Sequence, residues 1–205
     1  MKKFIESMRI SNGRAALVEL HQRRFDLTRL AHFGKLAPID LDAEVTAFLA
    51  AQPPQYLTAL CKLRITFGRD LEKIEIDLYA RRRVAAIALV DAPGLDYRFK
   101  YADRSALNEL WQQRGAADDI LMVKNGLLTG TSYSNVALFD GRRYFTPAQP
   151  LLAGVRRAAL LDAGLLSLAD IRPADLPDFQ HIALINGMLD LGEAVVGLDG
   201  VVGGE

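Results

Sequence analysis

The first ninety residues alternate between two hydrophobic periods. Stretches in which apolar and polar residues alternate are typical of half-buried strands, and stretches with apolar residues three or four positions apart are typical of helices. The predicted elements are a strand at 4–10, helices at 17–33 and 42–52, and three β-rich runs at 60–68, 72–80 and 83–91. The short spacing between the three runs favours an antiparallel meander.

A break at Pro93 and Gly94 separates this region from a second half of different composition. The elements predicted beyond it are helices at 103–114 and 151–164, short strands at 120–123, 135–139 and 143–145, and an apolar strand within 181–188. Because helices and strands segregate unevenly, an α+β protein with two lobes is expected. The expected division is a small domain at 1–92, a linker at 93–99 and a large domain at 100–205, with a ligand in the cleft between the lobes.

Composition and charge narrow the classes of function. The chain has 25 lysines and arginines against 25 aspartates and glutamates, which gives no reason to expect nucleic acid or an anionic membrane as the main partner. It has no apolar run long enough to span a bilayer and no secretory h-region at its start, so a cytoplasmic protein is expected. Cys61 is the single cysteine, which excludes an intrachain disulfide and argues against a thiolate metal site. No metal is therefore expected.

Arg24 interrupts an apolar stripe in the first predicted helix. The stripe follows helical spacings of three and four residues and consists of Leu17, Leu20, Arg24, Leu27 and Ala31. A guanidinium in that position needs an anion, and two interpretations stay open. Arg24 either reaches the surface or pairs with a carboxylate, or it binds the phosphate or carboxylate of a ligand. His21, one turn earlier, is interpreted as a structural hydrogen-bonding residue rather than a base.

Two further positions indicate an anion site or a reactive amine. Gly154 falls in the first turn of a predicted helix, where it would let an anion approach the free amides of Val155 and Arg156. Lys100 lies between two aromatic residues directly after the linker. An exposed lysine is the simplest interpretation, and a nucleophilic amine desolvated by its aromatic neighbours is the alternative.

The order of these motifs resembles the class IV aminotransferases. These are fold-type IV pyridoxal-phosphate enzymes that include branched-chain and D-amino-acid aminotransferases and 4-amino-4-deoxychorismate lyase. The matching segments are FIESMRISNGR at 4–14, ELHQRRF at 19–25, FKYADR at 99–104, the long central signature at 117–147, LLAGVRRAALLDAG at 151–164 and HIALINGM at 181–188. The resemblance covers most of the chain and is specific to the family, although not to one reaction. It implies a shortened version of the two-lobed fold.

The resemblance also implies roles for individual residues. Lys100 would form the Schiff base with pyridoxal 5'-phosphate and then move the substrate proton. Arg24 and the backbone amides of Val155 and Arg156 would bind the cofactor phosphate. The remaining positions that it implies are Gly130, Ser134 and Asn135 in the cofactor-lining turn, and Ser7 and Arg9 on the substrate side.

Two positions depart from the family pattern. Gly130 stands where a glutamate usually pairs with the pyridine nitrogen, and Arg156 stands where a threonine usually contacts the phosphate. The expected function is transamination, or elimination of pyruvate from 4-amino-4-deoxychorismate, on a small amine or amino-acid substrate. The alternative is a degenerate member that binds cofactor or a partner without efficient catalysis. A homodimer is expected by resemblance.

Overall fold

The computed structural model describes residues 2–203. They form two compact units. The first unit comprises the chain up to residue 81 together with residues 99–103, and the second comprises residues 82–98 and the chain from residue 104 onward. Both units contain helices and strands, and the predicted α+β class is confirmed.

The first unit is built on a four-stranded antiparallel sheet. Its elements are β1 (Phe4–Ser11), β2 (Arg14–Ala15), α1 (Val18–Phe33), α2 (Leu41–Ala50), α3 (Pro54–Thr58), β3 (Cys61–Phe67) and β4 (Leu71–Leu78). The strand order is β2-β1-β3-β4. Buried and half-buried residues alternate along β3, which is the two-residue period of a sheet with one face on a core.

The helix α1 buries a different face from the one that its apolar spacing predicts. His21, Phe25 and Thr28 are buried, whereas Leu27 is 55% exposed. The predicted apolar stripe is therefore wrong as a description of the core-facing side. One helix cannot bury both of its faces against a single sheet, and Phe25 fills the core at 0% exposure.

The third β-rich run is not part of the predicted meander. This strand, β5 (Ile87–Asp91), pairs in parallel with β6 (Asp119–Lys124) in the second unit. Its sequence IALVD lacks the polar alternation of β4, and a continuous apolar run is typical of a strand covered on both faces. The meander prediction is correct for the first two runs and wrong for the third.

The segment that carries Lys100 belongs to the first unit. The main-chain amide of Ile5 donates to the carbonyl of Lys100 at 2.9 Å, and the amide of Ala102 donates to the carbonyl of Lys3 at 2.9 Å. These bonds attach residues 99–103 to β1. The two compact units therefore differ from the expected domains, because β5 lies in the second unit and Lys100 in the first.

Besides β5 and β6, the second unit contains α4 (Ser105–Gln112), β7 (Leu127–Thr131), β8 (Asn135–Phe139), β9 (Tyr144–Pro147), α5 (Val155–Asp162), β10 (Leu166–Ala169), β11 (His181–Ile185), β12 (Val195–Gly197), β13 (Val201–Val202) and 3-10 turns at Pro173–Asp178 and Leu198–Gly200. The strands form a four-stranded sheet with the order β13-β5-β6-β7 and a five-stranded sheet with the order β10-β9-β8-β11-β12. Aliphatic side chains from both sheets form its main core. Within residues 2–203, no helix combines the length and apolar character needed to cross a bilayer.

Asp119 is an acidic residue buried next to the aliphatic side chains of this core. It is fully buried, and neither of its carboxylate oxygens has a hydrogen-bond partner among the described residues. The alternation of β6 puts it on the same face as Leu121 and Val123, which belong to the main core. A buried carboxylate without a partner reduces stability.

We expect Asp119→Val to raise the free energy of unfolding at neutral pH by about 1–3 kcal/mol, because valine has a similar volume and removes the unpaired oxygens. Urea unfolding followed by circular dichroism measures the change. Asp91→Val, at an exposed position on the neighbouring strand, is the control and should stay within about 0.5 kcal/mol of the parent chain. A loss of stability in Asp119→Val would contradict the prediction.

Candidate functional site

A buried ion pair in the first unit joins β1 to α1. Glu6 is 1% exposed and accepts two hydrogen bonds from Arg24, from Nε to Oε1 at 2.8 Å and from Nη2 to Oε2 at 2.5 Å. His21 Nδ1 lies 2.6 Å from Glu6 Oε2. Of the two interpretations of Arg24, the structure thus shows pairing with a carboxylate. His21 has the structural hydrogen-bonding role that was expected of it.

The environment sets the charges in this cluster. Burial alone would raise the pKa of Glu6, but the charge of Arg24 and the hydrogen bonds from His21 and Arg24 outweigh it and lower the pKa from 4.5 to about 2. Burial lowers the pKa of His21, and the hydrogen bond and charge of Glu6 oppose that effect. An ionised carboxylate only accepts hydrogen bonds, so Nδ1 of His21 carries the proton and donates. The buried Nε2 of His21 then has no partner in the described part of the chain.

Lys100 shares a strand face with the predicted substrate-side residues. Phe4 and Tyr101 form an antiparallel bridge, which puts Lys100 opposite Ile5. Opposed residues point to the same side of a sheet, and side chains two positions apart on a strand do so as well. Lys100 therefore lies on the same face as Ser7 and Arg9, all three being half-buried. The charge of Lys100 also acts on His21.

In the second unit, Gly130 lies near the end of β7, and Ser134 lies in the tight connection between β7 and β8. The amide of Thr131 donates to the carbonyl of Ser134 at 2.8 Å, and Thr131 Oγ1 accepts the amide of Ser134 at 3.1 Å. A Cβ atom on Gly130 would lie 2.9 Å from that same carbonyl oxygen of Ser134. The position of the Ser134 carbonyl therefore requires glycine at position 130.

Asn135 attaches this turn to the segment before α5. Its Nδ2 donates to the carbonyl of Leu152 at 2.9 Å, and a Cβ on Gly154 would overlap its Oδ1. Gly154 is extended, and no side chain caps the helix that follows it. The first-turn amides of Val155 and Arg156 thus have no side-chain acceptor among the described residues.

The side chain of Arg156 pairs with Asp190, with Nη1 at 3.1 Å from Oδ2. Its buried Nε has no hydrogen-bond partner within residues 2–203. The neighbouring Arg157 is also buried and donates to the carbonyl of Pro147 at 2.7 Å. Arg156, which stands where the family usually has a threonine, thus uses part of its guanidinium in an ion pair within the second unit.

Sequence reasoning missed Glu6 and Asn186. The strand period would have placed Glu6 on the buried face of β1 with Phe4 and Met8, where a carboxylate needs a cation. Asn186 donates to Ser134 Oγ at 2.9 Å, a contact between residues 52 positions apart. The sequence contains no local signal for the Asn186 contact.

A match to a family model over most of the chain decides the family. The family model described as amino-transferase class IV matches residues 3–193. The chain belongs to this family. The resemblance inferred from the motifs is therefore confirmed.

Two relatives match this class IV aminotransferase chain over nearly its whole length. A Haemophilus influenzae protein named only as uncharacterized is 32% identical over 192 residues, which cover 92% of this chain and 98% of the relative. A crystal structure from Haemophilus somnus 129PT, provisionally named 4-amino-4-deoxychorismate lyase, is 28% identical with a TM-score of 0.85 and covers 93% of this chain and 98% of its own.

A Mycobacterium tuberculosis protein described as a hypothetical aminotransferase in a PLP-bound form matches with a TM-score of 0.72. It is 21% identical, and the match covers 95% of this chain and 80% of its own. At that identity the likeness concerns the fold alone. Fold-type IV is thereby confirmed as the fold of this class IV aminotransferase chain.

We expect Glu6→Gln to remove an acid-sensitive part of the stability. The folded pKa of Glu6 is about 2 and its ordinary value is 4.5. Its contribution, on the order of 3 kcal/mol, is therefore fully present above pH 4.5 and is lost as the pH falls towards 2. Thermal unfolding of both chains from pH 6 to pH 3 should show the difference between them shrinking. Glu75→Gln, which alters an exposed pair with Lys73, is the control, and parallel curves for Glu6→Gln would refute the prediction.

Gly130→Ala should destabilise the second unit by about 1–3 kcal/mol, because the added Cβ pushes on the main-chain oxygen of Ser134. Denaturant unfolding measures the loss. Gly94→Ala is the matched control, since a Cβ at Gly94 meets no atom within 4 Å, and it should change stability by less than about 0.5 kcal/mol. Equal effects of the two substitutions would show that the turn at Gly130 relaxes freely.

Proposed function

We propose that this chain is a pyridoxal-5'-phosphate-dependent enzyme that eliminates pyruvate from 4-amino-4-deoxychorismate. The observation that carries the proposal is the arrangement of the first unit. Lys100 is attached to β1 through main-chain hydrogen bonds, on the face of Ser7 and Arg9, in the same unit as Arg24. A positioned amine and a guanidinium are the groups needed for an aldehyde and a phosphate.

Each unit by itself supplies groups that suit the cofactor, which are Arg24 and Lys100 in the first unit and the helix-start amides in the second. Arg24 keeps N–H donors that Glu6 does not use, and the first-turn amides of Val155 and Arg156 lack side-chain acceptors among the described residues. Ser134 and Asn135, which lie at the end of the β7–β8 connection and at the start of β8, are the proposed ring-lining residues. The fit is incomplete at the ring nitrogen, because Gly130 offers no carboxylate.

When bound, pyridoxal phosphate supplies an electron sink for the bonding pair that remains when the substrate loses its proton. Lys100 would bond to the cofactor aldehyde, exchange with the substrate amine and then carry the proton on the carbon that bears that amine. Arg24 would hold the phosphate and so fix the position of the ring relative to Lys100. Ser7 and Arg9 would contact the substrate, and the cation of Arg9 suits a substrate carboxylate.

Gly130 favours the elimination over transamination. Without a carboxylate at this position the ring nitrogen is less strongly held in its protonated form, which weakens the electron sink. Elimination of pyruvate from aminodeoxychorismate produces an aromatic amine, so part of the driving force comes from the product itself. Transamination lacks that gain. The FKYADR segment around Lys100 and the provisional name of the Haemophilus somnus structure support the same choice.

Gly130 also motivates a second candidate function. A family member without the ring-nitrogen acid could bind the cofactor or a partner without efficient turnover. In both cases the family resemblance leads us to expect a homodimer, and a cytoplasmic location is proposed from the sequence. The enzyme would act on a small-molecule amine.

Lys100→Ala tests the cofactor assignment. The purified parent chain, incubated with pyridoxal phosphate, should become yellow, and borohydride reduction should leave the cofactor on the peptide that contains Lys100. Lys100→Ala should do neither, because the amine that bonds to the aldehyde is gone. Lys73→Ala, at an exposed lysine of the same unit, is the control and should behave like the parent chain. A parent chain that takes up no cofactor would exclude the enzyme and would leave only the partner-binding form of the second candidate.

Two assays with the loaded protein then separate the candidates. One supplies 4-amino-4-deoxychorismate, and the other supplies pairs of amino and keto acids. Pyruvate release in the first assay alone supports the lyase, and amino transfer in the second alone rejects it. Cofactor binding without turnover in either assay supports the second candidate.

A further inference from the structure

The guanidinium of Arg24 is used along one edge only. A guanidinium carries five N–H donors, and Glu6 accepts one from Nε and one from Nη2. Two donors on Nη1 and one on Nη2 remain, and they have no acceptor among the described residues. One N–H of Nη1 and the remaining N–H of Nη2 form the end-on fork that matches two oxygens of a phosphate, and the second N–H of Nη1 points to the other edge of the guanidinium. The Arg24 side chain keeps 15% of its surface exposed, so the fork is not sealed within the core.

Glu6 cannot change its own orientation easily. It lies in the middle of β1, opposite Ile65 of β3, and its carboxylate also accepts from His21 at 2.6 Å. Phe4 and Met8, its neighbours on the same strand face, are fully buried. A long arginine side chain has many rotamers, and a carboxylate held by a sheet and a second donor selects one of them.

We infer that Glu6 is a positioning residue whose carboxylate holds the guanidinium of Arg24 with its end-on fork available to the phosphate of the cofactor. The inference rests on the proposed function, because it concerns the same phosphate. Glu6 touches neither the phosphate nor the reacting atoms in this role. It acts through Arg24.

The negative charge of Glu6 affects phosphate binding in the direction opposite to that of its positioning role. As a counter-charge it weakens the attraction of Arg24 for a phosphate dianion, so its removal would tighten phosphate binding if charge were the main effect. If orientation is the main effect, its removal weakens phosphate binding. The two effects therefore predict changes of opposite sign, and the sign can be measured.

The experiment compares pyridoxal phosphate with pyridoxal, which bonds to the same lysine but carries no phosphate. For Glu6→Gln we expect the Kd of pyridoxal phosphate to rise about tenfold, the equivalent of one lost charge-assisted hydrogen bond, and the Kd of pyridoxal to stay within about twofold. Glu75→Gln, which makes the same change at an exposed ion pair of the same sheet, should alter neither constant.

Glu6→Asp provides a second variant that keeps the charge and withdraws the carboxylate by one methylene. It should weaken pyridoxal phosphate binding in the same direction as Glu6→Gln, and binding equal to that of the parent chain would overturn the inference. In an Arg24→Lys background, Glu6→Gln should change the ratio of the two constants by less than about twofold, because the residue that it orients is absent. A full additional effect in that background also overturns the inference.

Two other results for Glu6→Gln reject a positioning role. Tighter or unchanged binding of pyridoxal phosphate would make Glu6 a counter-charge only, and equal weakening of both compounds would make it a general structural residue. A parent chain that binds neither compound rejects the proposed function itself, together with the inference that rests on it. A parent chain that binds both compounds leaves the proposed function standing whatever the variants do.

Discussion

The ionised carboxylate of Glu6 in the core of the first unit constrains much of what surrounds it. At 1% exposure a carboxylate is stable as an anion only when cations and hydrogen-bond donors replace the water that it loses. Both donors, His21 and Arg24, come from α1, so the helix must turn that side towards β1. This rotation explains why Leu27 and Leu30 of α1 are left towards solvent, at 55% and 58% exposure. The same pairing decides which edge of the Arg24 guanidinium remains for a ligand.

Polar side chains in the second unit serve the main chain as much as any ligand. The segment from Leu127 to Gly141 contains more hydroxyl and amide groups than a hairpin needs. Thr129 Oγ1 donates to the carbonyl of Met122 at 3.0 Å, Thr131 closes the turn, and Asn135 attaches the turn to the start of α5. These bonds hold β7, the β7–β8 connection and the segment before α5 together. Support of this kind is what the proposed cofactor-binding groups, Ser134 and the helix-start amides, require.

The two departures from the family pattern have different structural consequences. Gly130 lies so close to the carbonyl of Ser134 that a side chain there would displace the turn, so the loss of the acid and the shape of the turn are linked. Arg156 adds a guanidinium that Asp190 partly neutralises, and its buried Nε keeps an unused donor in the described chain. The first departure changes the expected electronics of the ring, and the second adds a donor near the helix start. Neither departure prevents the match to the family model over residues 3–193.

Local signals in the sequence determined many of the elements, the family and the candidate residues, because hydrophobic period, turn residues and motif order are properties of neighbouring positions. The strand at β1, the helix α1 and the Lys100 segment were all predictable in this way. Only the tertiary structure decided that β5 joins the second unit, that Lys100 is held against β1, and that Arg24 pairs with Glu6. Each of these depends on partners far apart in the chain, such as Glu6 and Arg24 at a separation of 18 residues. The hydrophobic period can at best indicate which side of an element is buried. Which residues of other elements contact that side depends on the packing and charge of the folded chain.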